Sequence, residues 1–170
     1  MNSNFNPLSP EELVSRINKI PRIRLAQLPT ALEYAPNISK ELNINLYIKR
    51  DDCTALAFGG NKTRHLEFIM AKTLSGEYDC ILTGAASQSN FCRQAVAAAN
   101  KLNLDSYLVL MHGVKGKLMQ GNFLLYNILG ANVDVVDGEN LEDIPKHLDK
   151  KYNELIKEGR KPLLIYGGFG

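Results

Sequence analysis

Short apolar runs alternate with helix-period stretches along most of this chain, and that alternation limits the fold more than any other feature. Cys80-Ile81-Leu82 is an apolar run closed by Gly84. A run with no polar alternate suits a strand buried on both faces. Gln88–Leu102 is rich in alanine (Ala95, Ala97, Ala98, Ala99) and predicts a close-packing helix. Tyr107–Met111 predicts the next strand, Leu118–Leu129 a helix stopped by Gly130, and Asn132–Val136 another strand. Leu141–Glu158 is amphipathic, its start delayed or broken at Pro145 and its C-cap at Gly159; Leu163–Tyr166 reads as a fourth strand. Strand–helix units at roughly 25 to 30 residues imply right-handed crossovers. The expected class is α/β, an open and mostly parallel sheet with helices on both faces.

The N-terminal third reads differently. Ser9-Pro10-Glu11-Glu12 is a capping box with proline at the first helical position, predicting a short helix from Pro10 to Asn18. Residues 21–38 hold Pro21, Pro29 and Pro36 and read as extended or turn-rich chain. Asn45–Arg50 predicts a strand leading into a loop from Asp51 to Asn61. Lys62–Leu74 carries Leu66, Ile69, Met70 and Leu74 on one helical stripe that ends near Gly76. The last strand runs into Gly167-Gly168-Phe169-Gly170, a turn that is expected to feed a further helix. The chain therefore reads as a fragment or a sequence cut short, and residues 1–60 lack obvious partners of their own.

Charge and cysteine content narrow the function classes. Twenty basic and 18 acidic residues are well mixed, giving a net +2, and no basic block suggests nucleic acid or a membrane surface. No apolar run reaches the ~18 residues of a membrane-spanning helix, and the first residues lack a secretory signal pattern. Cys53, Cys80 and Cys92 make an odd count without a CxxC pair, which argues against disulfides or structural zinc and fits a reducing cytoplasm. His65, His112 and His147 share no metal-ligand spacing, so no metal site is expected.

In such sheets ligands lie beyond the C-terminal strand ends, and two loops are expected at that edge, Gly84–Asn90 and the terminal Gly167–Gly170; the segment Gly59–Arg64 is a further candidate for chemistry. In Gly59-Gly60-Asn61-Lys62-Thr63-Arg64, paired glycines let the backbone approach a ligand, and Lys62 opens a helix. A partly desolvated lysine amine there is a competent nucleophile toward a carbonyl; a solvated lysine in a helical first turn is the plainer alternative. The spacing is not that of a phosphate-binding GxxxxGK[ST] loop. In Gly84-Ala85-Ala86-Ser87-Gln88-Ser89-Asn90, small residues, hydroxyls and amides precede a helix and suit an anion such as a carboxylate. A helix cap by Ser87 or Ser89 explains the same residues. Asp51-Asp52 reads as a salt-bridged loop, Cys92 as a packing residue, and Tyr47, Phe58 and Tyr126 as core or wall. Arg93 faces either the binding edge or an internal acid.

Three segments occur together and in order: Lys-Arg-Asp-Asp-Cys at 49–53, Leu-Ala-Phe-Gly-Gly-Asn-Lys-Thr-Arg at 56–64, and Gln-Ser-Asn-Phe-Cys-Arg-Gln at 88–94. The combination resembles the D-cysteine desulfhydrase and 1-aminocyclopropane-1-carboxylate (ACC) deaminase family of pyridoxal-phosphate enzymes, which share the tryptophan-synthase-β type of fold. The resemblance spans residues 20 to 168. It implies that Lys62 is the catalytic lysine that holds pyridoxal 5'-phosphate, and that Asn90 hydrogen-bonds the cofactor's phenolic oxygen. Ser89 would work beside the substrate carbon as acid/base or orienting group. Gln88, Ser89 and Asn90 would form the substrate-binding segment, with Gln88 and the adjacent backbone amides receiving the carboxylate. The alanines at 85 and 86 and Ser87 stand where many relatives have glycine or isoleucine.

The resemblance further implies a division of the chain. Residues 1–64 would belong to a large cofactor domain, 65–165 would form most of a small α/β domain, and 166–170 would begin the return to the large one. The remainder, with the phosphate cradle and the group facing the pyridine nitrogen, lies beyond these residues. The implied activity is that of a lyase on a small amino acid, most like D-cysteine desulfhydrase, which releases pyruvate, sulfide and ammonia. ACC deaminase, giving 2-oxobutyrate and ammonia, is the alternative branch, and a non-catalytic α/β binding module is another reading. A homodimer at full length and a cytoplasmic location complete what the resemblance implies.

Overall fold

The computed structural model describes residues 7–112, 118–137 and 141–166. Among the described residues six α-helices and six strands follow one another: α1 (Pro10–Ile17), β1 (Leu32–Tyr34), α2 (Pro36–Leu42), β2 (Tyr47–Lys49), α3 (Lys62–Ile69), β3 (Cys80–Ala86), α4 (Asn90–Lys101), β4 (Asp105–Met111), α5 (Gly121–Ile128), β5 (Asn132–Val136), α6 (Ile144–Lys157) and β6 (Pro162–Ile165). The last four strands form one parallel sheet in the order β5-β4-β3-β6. This is the expected α/β class.

The apolar runs sort by strand periodicity onto two faces. Ile81, Leu108, Leu110, Leu163 and Ile165 pack with Leu66 and Met70 of the α3 segment and with α4 and α5. Leu82, Val109 and Met111 face the other way, onto Ile144, Leu148 and Leu155 of α6. Alanine dominates the face that α4 turns to the sheet: Ala95, Ala98 and Ala99 are fully buried, and their small side chains let helix and sheet approach closely. At the N-terminal rim Arg160 bonds Asp79, Asp105 and the Tyr107 hydroxyl, tying the starts of β3 and β4 to the residues before β6. The opposite rim carries the loop into α4.

Several boundaries differ from the sequence expectation, each for a local reason. β3 does not stop at Gly84 but pairs with β4 through Ala86, opposite Met111. The helix expected over Lys62–Leu74 is α-helical only to Ile69; Met70–Ser75 tightens into a 3-10 segment ending at Gly76 in the left-handed region. The helix expected from Leu118 begins at Gly121. The 3-10 turn Leu141–Asp143 precedes α6, whose first turn holds Pro145, a place where its missing N–H costs nothing.

Residues 21–38 are not merely extended. Leu32–Tyr34 pairs antiparallel with Tyr47–Lys49, and Pro36 opens α2. That pairing is non-local, and a three-residue exposed strand leaves no periodic trace in the sequence. Tyr47 and Phe58 are not core residues: Tyr47 is 57% and Phe58 78% exposed. Gly167–Gly170, the second loop expected at the binding edge, lies outside the described residues. No helix among the described residues is long and apolar enough to cross a membrane.

All three cysteines are free, Cys53 exposed and Cys80 and Cys92 buried. Burial pushes both buried thiols up to about 12. The thiolate is the reactive form. A thiol titration at neutral pH is therefore expected to label Cys53 rapidly and the other two only on denaturation. Three fast-reacting thiols would contradict the packing of β3 against α4.

Candidate active site

The segment before α3 is built to bring one backbone loop against α4. Gly59 and Gly60 have φ of +74° and +131°. A Cβ at Gly59 would lie 1.8 Å from the Asp52 carbonyl oxygen, and one at Gly60 would lie 2.5 Å from Nε2 of Gln94. Only glycine meets both the conformation and the crowding. The Asp51 backbone oxygen accepts from the Gly60 N–H, while its carboxylate takes a two-pronged Arg64 at 2.7 and 2.8 Å. That fork holds the Asp51 carboxyl below its usual range. Arg50 does the same for Asp52, pulling it down to about 2, and bonds Glu33 as well. The paired acids are thus salt-bridged braces of the loop, as expected.

Lys62 occupies the first position of α3, partly buried, and its ammonium has no hydrogen-bond partner among the described residues. Asn61, the N-cap, makes no side-chain cap. Instead, the N–H of Thr63 donates to Oε1 of Gln94 at 2.8 Å, and the Thr63 hydroxyl donates to the same oxygen at 2.7 Å. Nε2 of Gln94 donates to the backbone oxygen of Asn90 at 3.2 Å. One buried side chain therefore bridges the residue after Lys62 and the first residue of α4. The side-chain amide of Asn90 is exposed and has no partner among the described residues.

Ser89 is the N-cap of α4, its hydroxyl oxygen accepting from the Cys92 N–H at 3.3 Å. That leaves the hydroxyl hydrogen available to donate. Its backbone oxygen accepts from the buried Tyr126 hydroxyl at 2.7 Å. Ser87 turns away, donating to the His112 carbonyl and joining the ends of β3 and β4. Gln88 is a strut: its Nε2 donates to the Gln120 carbonyl, its Oε1 accepts from the Asn122 N–H, and Asn122 returns a bond to the Gln88 carbonyl. The Gln88 side-chain amide is thus engaged by the start of α5. The first-turn N–H groups of Asn90 and Phe91 have no partner among the described residues, at the positive end of a twelve-residue helix.

Arg93, half-buried, meets no internal acid among the described residues. Its guanidinium donates to the Gly59 carbonyl and to Oδ1 of Asn122, each at 2.8 Å, and its Nε is buried without a partner. Burial pulls it below its usual pKa. Nothing in the sequence marks the partners of Arg93 or the bridging role of Gln94, because a polar residue in a helix carries no sign of what it meets across the fold. Among the described residues no group of three or more His, Cys, Asp or Glu side chains could hold a metal.

This donor set fits a cofactor that combines an aldehyde with an adjacent oxygen. Lys62 offers an unpaired amine, Asn90 an unpaired amide, and Gln94 ties the two helix starts together. Comparison with known proteins points the same way. A family model described as "Pyridoxal-phosphate dependent enzyme" matches residues 23–169. A putative 1-aminocyclopropane-1-carboxylate deaminase of Pyrococcus horikoshii is 39% identical over 158 residues, covering 92% of this chain and 47% of that protein. A D-cysteine desulfhydrase of Klebsiella pneumoniae is 36% identical over 156 residues, 89% of this chain and 47% of that protein. A solved structure described as an ACC deaminase homologue superposes with a TM-score of 0.85 at 38% identity, covering 94% of this chain and 48% of the other. The chain spans about half the length of the relatives it matches.

Proposed function

Given that this chain belongs to the pyridoxal-phosphate-dependent enzyme family, we propose that it carries the lysine-bearing part of a lyase acting on a small amino acid. The unpaired Lys62 amine, adjacent to a residue bridged through Gln94 to Asn90, is the observation that carries this reading. Lys62 would hold the cofactor covalently, and Asn90 would donate its amide to the phenolic oxygen. When bound, the cofactor supplies an electron sink for charge developing at the substrate Cα. The Lys62 amine would take the proton from Cα. Ser89, whose oxygen already accepts from Cys92, donates its hydroxyl hydrogen toward the substrate. The carboxylate is received by the N–H groups of Asn90 and Phe91 and by the segment that begins at Gln88. Gln88 contributes there through its main chain, since its side chain is held by residues 120–122.

Residues 65–165 form the small domain in this reading, and residues 1–64 the first part of a larger cofactor domain. Apolar side chains left outward in that first part support the division: Leu13, Leu32, Ile44, Tyr47 and Phe58 are all exposed, and α1 buries none of its residues. Residues 166–170 begin the return to the large domain, and the whole enzyme is a cytoplasmic homodimer. No contact with nucleic acid or membrane enters this reading.

D-cysteine is the substrate proposed first, ACC the second. Loss of the Cα proton and of the thiol from D-cysteine leaves an enamine that hydrolyses to pyruvate and ammonia, whereas ACC requires ring opening to 2-oxobutyrate. Offered both amino acids, the protein expressed from its complete gene is expected to release sulfide and pyruvate from D-cysteine. 2-Oxobutyrate from ACC without sulfide from D-cysteine would assign the deaminase branch. Neither product, together with no retained cofactor, would leave the non-catalytic module.

A further inference from the structure

We propose that Gln94 is a positioning residue for the Lys62–Asn90 pair: an inter-helix cap that fixes the α3 N-terminus, and with it the lysine, against the start of α4. This rests on the reading of Lys62 as the cofactor lysine. Helix starts normally satisfy their first N–H groups with a local side chain. Here the N-cap Asn61 makes no such bond, and the donor of Thr63 is met by a residue 31 positions away. Gln94 is fully buried and its hydrogen-bonding capacity is divided between two helices: Oε1 takes both donors of Thr63, and Nε2 gives to Asn90.

The bracket extends backward into the glycine loop. Thr63 lies 3.3 Å, oxygen to oxygen, from Thr54, and Thr54 both accepts from the Gly60 N–H and donates to the Gly60 carbonyl, each at 2.9 Å. Both threonines are fully buried. Gly60 is itself shaped to Gln94, since a Cβ there would strike the Gln94 amide. Neighbouring Arg93 clamps the Gly59 carbonyl. Two successive residues of α4 thus grip the loop that presents Lys62. A side chain used only for packing would not need both of its polar atoms matched to the two segments that carry the cofactor groups.

The test uses the protein expressed from its complete gene and three variants of the bracket. Gln94→Met keeps length but removes acceptor and donor. Gln94→Glu keeps the acceptor for Thr63 but cannot donate to Asn90. Thr63→Val removes one of the two bonds to Oε1. Each is mixed with pyridoxal 5'-phosphate, reduced with borohydride, and mapped by peptide mass spectrometry for the fraction of label on Lys62. Folding is followed in parallel by cooperative thermal unfolding.

The expected result is folded protein in which Gln94→Met lowers the rate of labelling at Lys62 roughly tenfold, the scale of one or two net hydrogen bonds. Gln94→Glu and Thr63→Val fall between it and the parent, and label spreads to other lysines. Turnover is expected to show a fall in kcat larger than any rise in KM, because both bonds to Oε1 act on the Lys62 side and only Nε2 reaches Asn90. Folded Gln94→Met protein that labels Lys62 at the parent rate overturns the proposal. If that variant does not fold, unchanged labelling in both milder variants overturns it. Lys62→Ala separates the two levels: if it retains cofactor after desalting as the parent does, the reading of Lys62 has failed and not merely the role of Gln94.

Discussion

Replacing Lys62 with alanine is expected to remove covalently held cofactor and to lower turnover roughly a thousandfold or more, the scale seen when a covalent catalyst is deleted. The fold should not suffer. The Lys62 ammonium has no hydrogen-bond partner among the described residues, and a cation at the first helical position opposes the macrodipole. Alanine has the highest helix propensity, so the stability change is expected to stay within about 0.5 kcal/mol. The measurements are visible absorbance after desalting and urea unfolding on the same sample. A colourless, stable variant isolates the chemistry from the scaffold. A variant that keeps the parent's visible absorbance and turnover would remove Lys62 from the site.

Glu67→Ala should have the largest effect on stability, and it acts through the strap that joins residues 22–26 to α3. The Glu67 side chain is fully buried. Oε1 accepts from the N–H groups of Leu25 and Ala26 at 2.9 and 3.0 Å, and Oε2 accepts from Arg22, its Nε at 2.7 Å. Burial alone would raise the carboxyl, but the Ala26 and Leu25 N–H groups and the Arg22 guanidinium outweigh it, and the net shift is downward. Removing the carboxylate leaves a buried donor at Leu25, a half-buried one at Ala26 and the partly exposed Arg22 cation without their partner, a loss of about 2 kcal/mol or more.

The same shift sets a pH dependence. A carboxyl lowered in the folded state contributes stability that is complete above its ordinary value of 4.5 and is lost as pH falls through the lower folded value. Urea midpoints measured on either side of that window should fall toward acid in the parent and fall less in Glu67→Gln. An Ala variant within 1 kcal/mol of the parent, roughly the typical effect of any substitution, would contradict the strap.

Much of the α/β layout was legible because its strands are buried on both faces. A strand such as Cys80–Ala86 must be nearly all apolar, its buried Thr83 hydroxyl donating to the Ile165 carbonyl, and a helix that packs closely on it must be small-faced, so both leave plain marks in the sequence. The capping box at Ser9 was equally plain, since it is satisfied within four residues. β1 was not, because a three-residue exposed strand exists only through its partner. The chemistry of Tyr47 and Phe58 suits core or wall alike, and their exposure excludes the core.

The site divides along the same line. Residue types and spacing single out Lys62, Ser89 and Asn90, because an amine after paired glycines and a hydroxyl–amide corner before a helix are local arrangements; the resemblance adds Gln88. Tertiary structure alone determined what each side chain is free to do. It engaged Gln88 with α5, left the Asn90 amide open, and made a buried glutamine of α4 the cap of α3. The physical reason is range: backbone geometry and apolar period are set by neighbours in the chain, whereas a buried hydrogen bond takes its partner from whatever the folded layers bring within 3 Å.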